Sequence, residues 1–92
     1  MIDNYDDLNR DDTLAAVRNF DGEQLAEFIA FERDHKDRVT VIEPLERELL
    51  EVTSAGRSYV AGLWFDNVDD VHVVRRSRRV ESAIGEGLLE IV

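Results

Sequence analysis

The stretch from Phe20 to Leu50 constrains the fold more than any other, because it carries two helix-start signals about twenty residues apart. Asp21 followed by Gln24 reads as a capping box, in which each side chain bonds the other residue's backbone N–H. Leu25, Phe28, Ile29 and Glu32 follow at helical spacing, so the three apolar residues share one face. His35 and Lys36 suit the end of that helix, where positive charge meets the free carbonyls. Thr40 with Glu43 reads as a second capping box, and Pro44 then falls in a first turn, where proline is tolerated. Val41, Leu45 and Leu49 make an i, i+4 ridge on the helix that follows. An extended joint, Asp37–Val39, links the two.

On either side of this nucleus the pattern is thinner. Residues 1–8 read as a loosely held arm with Tyr5 and Leu8 as anchors. Asn9 with Asp12 caps a short helix holding Leu14, Ala15 and Val17, and Phe20 is the apolar residue just before the Asp21 cap. After Leu50 the signal turns to strand. Glu51–Thr53 is β-prone, and Ser54–Arg57 is a turn with Gly56 in it. Ser58–Phe65, rich in aromatic and β-branched residues, reads as a central strand with Tyr59, Ala61 and Leu63 on one side and Val60, Gly62 and Trp64 on the other. Asp66–Asp70 turns the chain, and Val71–Arg75 returns antiparallel. Ser77 caps a last helix with Val80, Ala83 and Ile84, Gly85 or Gly87 stops it, Gly87 being the better candidate, and Leu88–Val92 is a terminal strand or an extended tail.

The expectation is an α+β chain: a helix–extended-loop–helix half, then a small antiparallel meander, a short helix and a terminal strand. The helical half spans residues 1–50, with helices at about 10–19, 22–35 and 41–50, and the second half spans 51–92. Neither half offers much to bury alone, so the two are expected to form one compact unit or to close against a partner.

Charge divides the chain in a similar place. The net charge is −10, and Lys36 is the sole lysine beside ten arginines. Residues 1–51 carry fifteen acids and six bases, whereas residues 52–92 carry six and five. Acidity with so little lysine matches adaptation to concentrated salt, which screens such charges within a few ångströms. The absence of cysteine excludes disulfides and thiolate metal sites. No run approaches the ~18 apolar residues of a membrane span. The acidic start, Met1–Asp7, lacks the basic opening of a secretory leader. A soluble cytoplasmic location, or a place in a virion, is the expectation.

The run Tyr5-Asp-Asp-Leu8, Leu14, Phe20–Leu25 and Phe31–Ile42 resembles a helix–extended-loop–helix module of actinobacterial lipid-droplet-associated proteins. It is more distantly similar to the N-terminal domain of the transcription terminator Rho. The block that carries the resemblance is Phe31-Glu32, His35, Arg38 and Val41. It implies no catalytic residue. Residues 58–92 resemble the hairpin–helix–strand endings of small head and neck accessory proteins of tailed viruses, through the final Gly87-Leu-Leu-Glu-Ile-Val92. With the salt-adapted composition, that resemblance implies a virion component of an archaeal tailed virus.

No catalytic constellation stands out. His35 ends a helix and His72 sits mid-strand facing solvent or an interface, without paired spacing. Ser54, Ser58, Ser77 and Ser82 have no base at a recognisable distance. Gly85-Glu-Gly87 is a helix terminus rather than a phosphate loop. Asp66-Asn67 with Asp69-Asp70 lacks the terminal glutamate and spacing of a calcium loop. No metal and no cofactor are expected.

Arg75-Arg-Ser-Arg-Arg79 is different: four of eleven basic residues lie within five positions of an acidic chain. Arginine's planar fork suits carboxylate or phosphate. Three uses remain open: neutralising this chain's own acids, pairing with an acidic protein, or holding nucleic acid, the last weakened by salt through counterion release. The candidate partner-binding residues are therefore Tyr59, Trp64, Phe65, Arg75, Arg76, Arg78 and Arg79. The function expected is that of a non-enzymatic subunit in a homo- or hetero-oligomeric assembly. The alternative is a nucleic-acid-associated regulator.

Overall fold

The computed structural model describes residues 2–92 and has an α+β fold, three α-helices first, then antiparallel strands with a fourth helix before the last of them. It divides into two compact units, Met1–Leu49 and Leu50–Val92.

The first unit is helical. A single 3₁₀ turn, Tyr5–Asp7, precedes α1 (Arg10–Ala16), α2 (Gly22–Asp34) and α3 (Val39–Glu46). Local chemistry sets the starts of the first two. The Asn9 side chain accepts from the Asp12 N–H at 2.8 Å. Asp21 and Gln24 exchange side-chain-to-backbone bonds at 2.8 and 3.0 Å, a complete capping box. Leu25, Phe28 and Ile29 on α2, Val41, Ile42 and Leu45 on α3, Val17 and Tyr5 form the buried cluster, with Phe20, Phe31 and Leu49 half-buried against it.

α3 is capped two residues before the Thr40 expected from sequence. Arg38 is its N-cap, and the Arg38 carbonyl accepts from the N–H groups of Val41 and Ile42 at 3.0 and 2.9 Å. Pro44 therefore lies inside the helix rather than in its first turn, where its ring crowds the Thr40 carbonyl and offers it no donor. The joint is likewise not extended throughout: Asp37 is left-handed at φ 49°. The reason is Glu32, whose carboxylate takes the Arg38 N–H at 3.1 Å and so decides where the next helix starts. The chain then leaves helix at Glu46 instead of running to residue 50, and Leu49 reaches the same cluster from a strand.

The second unit is built on β1 (Leu49–Thr53), the middle strand of a sheet ordered β4-β1-β5, with β4 at His72–Arg75 and β5 at Glu90–Ile91. Leu50 and Val52 point inward from β1 and Glu51 outward, the two-residue alternation of a half-buried strand. β5 runs antiparallel to β1, with Val52 opposite Ile91 and Thr53 opposite Glu90. α4 (Arg78–Gly85) joins β4 to β5 and contributes Val80 and Ala83 to the core. Ser77 caps its start through the Val80 N–H at 3.2 Å. At its end Gly87, at φ 77°, lets the Leu88 N–H reach the Ala83 carbonyl at 2.8 Å and the Gly87 N–H reach Ile84 at 3.1 Å, a Schellman motif.

Ser58–Phe65 is not the central strand. It is a hairpin of its own, β2 (Tyr59–Val60) and β3 (Leu63–Trp64), turning at Ala61-Gly62. Both turn residues have positive φ, 51° and 82°, the type I′ arrangement that matches strand twist. The meander expected from sequence is thus replaced by two small sheets. Nor is the second half short of a core: Leu50, Val52, Val60, Phe65, Val74, Val80, Ala83 and Leu89 form a buried cluster separate from that of the first unit.

Candidate functional site: an aromatic hairpin beside an arginine-bearing helix

The β2–β3 register decides what the hairpin shows to solvent. Tyr59 stands opposite Trp64, and Val60 opposite Leu63, so each pair shares a face. Val60 is 5% exposed and is held in the core, and the Phe65 N–H closes the hairpin base onto the Ser58 carbonyl at 2.8 Å. The other face is left in water: Tyr59 is 49% and Trp64 70% exposed, their rings 4.5 Å apart and inclined by 43°. The alternation inferred for a single strand placed Tyr59 and Trp64 on opposite sides. The turn at Ala61-Gly62 brings them to the same side.

Phe65, the third aromatic candidate, is not available for contact. It is 3% exposed, with its ring 4.3 Å from the His72 ring. His72, expected to face solvent or an interface, is half-buried with its ring against Phe65.

The four arginines do not form one patch. Arg75 ends β4 and is half-buried, while Arg76 reaches Glu81 at 3.4 Å. Arg78 and Arg79 begin α4, are exposed, and enter no ion pair among the described residues. They line one side of an open hollow of about 500 Å³, with Ser82 and Ala83 along the same helix, Glu86 at its C-cap, and Ala61 and Leu88 completing the wall. Gly62 shapes this edge. A Cβ built on it would lie 3.2 Å from Arg79 Nη1, so the missing side chain gives the guanidinium room against the turn. The arrangement offers two guanidinium forks over a floor that is partly aliphatic, which suits a carboxylate flanked by apolar atoms.

A second constellation, in the first unit, was not singled out from sequence as a site. Glu32 is fully buried and accepts from Tyr5 OH at 2.7 Å, Arg38 Nη2 at 2.8 Å and Arg38 Nε at 3.0 Å. Arg38 also donates to Thr13 Oγ1 at 3.1 Å and the Leu8 carbonyl at 3.0 Å. Lys36 Nζ donates to the carbonyls of Tyr5, Asp6 and Leu8. These bonds pin residues 5–8 down, so the arm expected to be loose is fastened. Burial alone would raise the Glu32 carboxyl, but hydrogen bonds from Arg38 and Tyr5 outweigh it and hold it down to about 2. Burial and the Glu32 carboxylate raise the Tyr5 hydroxyl. Arg38 is raised by its bonds to Glu32. Every polar group is engaged with another part of the same unit, which makes this a structural clamp. The visible signal was a carboxylate on the apolar face of α2.

The block Phe31, Glu32, His35, Arg38, Val41 thus has a physical role at each position. Glu32 and Arg38 form the buried pair, His35 caps α2 with its ring stacked 3.8 Å from Phe31, and Val41 is core. Among the described residues no cluster of His, Asp or Glu is arranged to hold a metal, and no helix is long and apolar enough to cross a membrane. No protein-family model matches the chain, and neither does any curated protein or solved structure.

Proposed function

We propose that the chain is a non-enzymatic interaction protein that joins a larger protein assembly through its second unit, with Tyr59 and Trp64 as contact anchors and Arg78 and Arg79 beside them. The observation that carries this reading is the exposed Tyr59–Trp64 pair on a hairpin already fixed from beneath by Val60 and Phe65. A tryptophan left in water on a hairpin whose Val60 and Phe65 are buried presents a large apolar area at little entropic cost. Trp, Tyr and Arg are the residue types that dominate binding hot spots. A head, neck or tail accessory subunit of a haloarchaeal tailed virus is the sharpest form of the proposal, supported by the acidic, lysine-poor composition and the Gly87–Val92 ending.

Light scattering of the full chain at molar salt is the test. The expected result is a mass above that of the monomer, returning to monomer when Tyr59 and Trp64 are both changed to Ser; a monomer throughout would contradict the proposal. Nucleic-acid association is the alternative reading, resting on Arg78 and Arg79, which enter no ion pair among the described residues. The net charge of −10 works against it. Failure to retard single-stranded DNA in a gel even at low salt would remove it.

A further inference from the structure

We infer that the hollow between α4 and the Ala61-Gly62 turn is a docking groove for a short acidic–aliphatic segment of a partner protein, a carboxylate side chain next to a Leu, Ile or Val. The inference deepens the interaction reading above by giving the partner's chemistry, and it uses residues apart from the Tyr59–Trp64 face. Charge complementarity selects the occupant. Arg78 and Arg79 are exposed, without ion-pair partners among the described residues, and belong to the lining of the same hollow. Glu86 is its single acidic lining residue. The Gly62 turn gives the Arg79 guanidinium a seat, which limits the side-chain freedom lost when a carboxylate binds. Ser82 adds a hydroxyl one helical turn beyond Arg78, and Ala61 and Leu88, both half-buried, supply aliphatic surface for the neighbouring residue. A hollow of about 500 Å³ holds two or three side chains and not a folded domain. A phosphodiester backbone would satisfy the guanidiniums but leave that aliphatic surface without a counterpart.

The test is selection of random dodecapeptides displayed against the immobilised full chain, followed by affinity measurement on the enriched peptides by fluorescence anisotropy. The expected result is enrichment of Asp or Glu adjacent to Leu, Ile or Val. Arg79→Gln should weaken binding of the enriched peptides about tenfold or more, since a charge-assisted bond is lost. Ser82→Trp, at an exposed position, should block the hollow and abolish binding while the helical circular dichroism is unchanged. Enrichment of basic peptides, no enrichment, indifference to Ser82→Trp, or tighter binding of single-stranded DNA than of any peptide would each overturn the inference. Tyr59→Ser and Trp64→Ser should leave peptide affinity within about twofold. Assembly that persists without peptide binding would therefore reject the groove alone, and peptide binding without assembly would reject the assembly reading alone.

Discussion

The two units bury polar groups in opposite ways. In the first, Thr13 and Glu32 are fully enclosed and both are partnered: Thr13 Oγ1 donates to the Asn9 carbonyl at 2.8 Å and receives from Arg38, and Glu32 takes four bonds from Tyr5 and Arg38. In the second, the one enclosed polar side chain among the described residues is Ser54, whose hydroxyl finds no hydrogen-bond partner among them. Their surfaces differ as well. Residues 1–49 carry fourteen acids against six bases, and residues 50–92 seven against five, so most of the net negative charge lies on the first unit. The second exposes its tryptophan. One unit spends its polar chemistry inward on holding its own chain, and the other keeps guanidiniums and aromatic rings turned outward.

The largest effect should come from breaking the inward network. Arg38→Ala leaves a buried carboxylate without its cation and should cost about 3–5 kcal/mol, read by urea denaturation followed by far-ultraviolet circular dichroism. Arg38→Lys should recover only part of this, because a single ammonium cannot bond Glu32 and Thr13 at once in the guanidinium's geometry. A loss under about 1 kcal/mol for Arg38→Ala would mean that the clamp is dispensable.

Acid should act on the same bond. Glu32 is held near 2 in the folded chain against an ordinary 4.5, so its contribution is fully present above about pH 4.5 and disappears as pH falls towards 2. The shift corresponds to about 3 kcal/mol. The stability difference between the native chain and Glu32→Gln should shrink over that window, and a difference independent of pH would contradict it.

Much of this molecule is legible in its sequence because its strongest signals are local. Asp21 with Gln24, Asn9 with Asp12, Ser77, and Gly87 each act within five residues, and each lies where that short-range chemistry places it. The misreadings occur where a distant partner overrides a local rule. Thr40 has the side chain of a cap, yet Arg38 becomes the cap because Glu32 binds its backbone and side chain together. Ala61-Gly62 lacks the Asn-Gly or Asp-Gly signature of a tight hairpin, so eight β-prone residues read as one strand. That single turn also hid the pairing of Tyr59 with Trp64. Of the candidate contact residues, Phe65 was lost to the core because burial depends on which neighbours a fold supplies, and residue type alone carries no such information.

A smaller effect separates the units in the opposite sense. Ser54→Ala removes an unsatisfied buried hydroxyl from the second unit and should raise stability by about 1 kcal/mol in thermal or urea unfolding. Thr13→Ala, which deletes a bonded hydroxyl in the first, should lower it by about the same amount. If both substitutions moved stability in the same direction, the contrast in polar burial would fail.

The smallest effect on stability bears most directly on the central claim that the second unit closes its own core and leaves Trp64 outside it. The decisive measurement is the urea-unfolding free energy of Trp64→Ser, followed by circular dichroism because this is the only tryptophan. At 70% exposure the change should alter stability by no more than about 0.5 kcal/mol. A loss of about 2 kcal/mol or more would show that the indole belongs to the core, and would contradict the account.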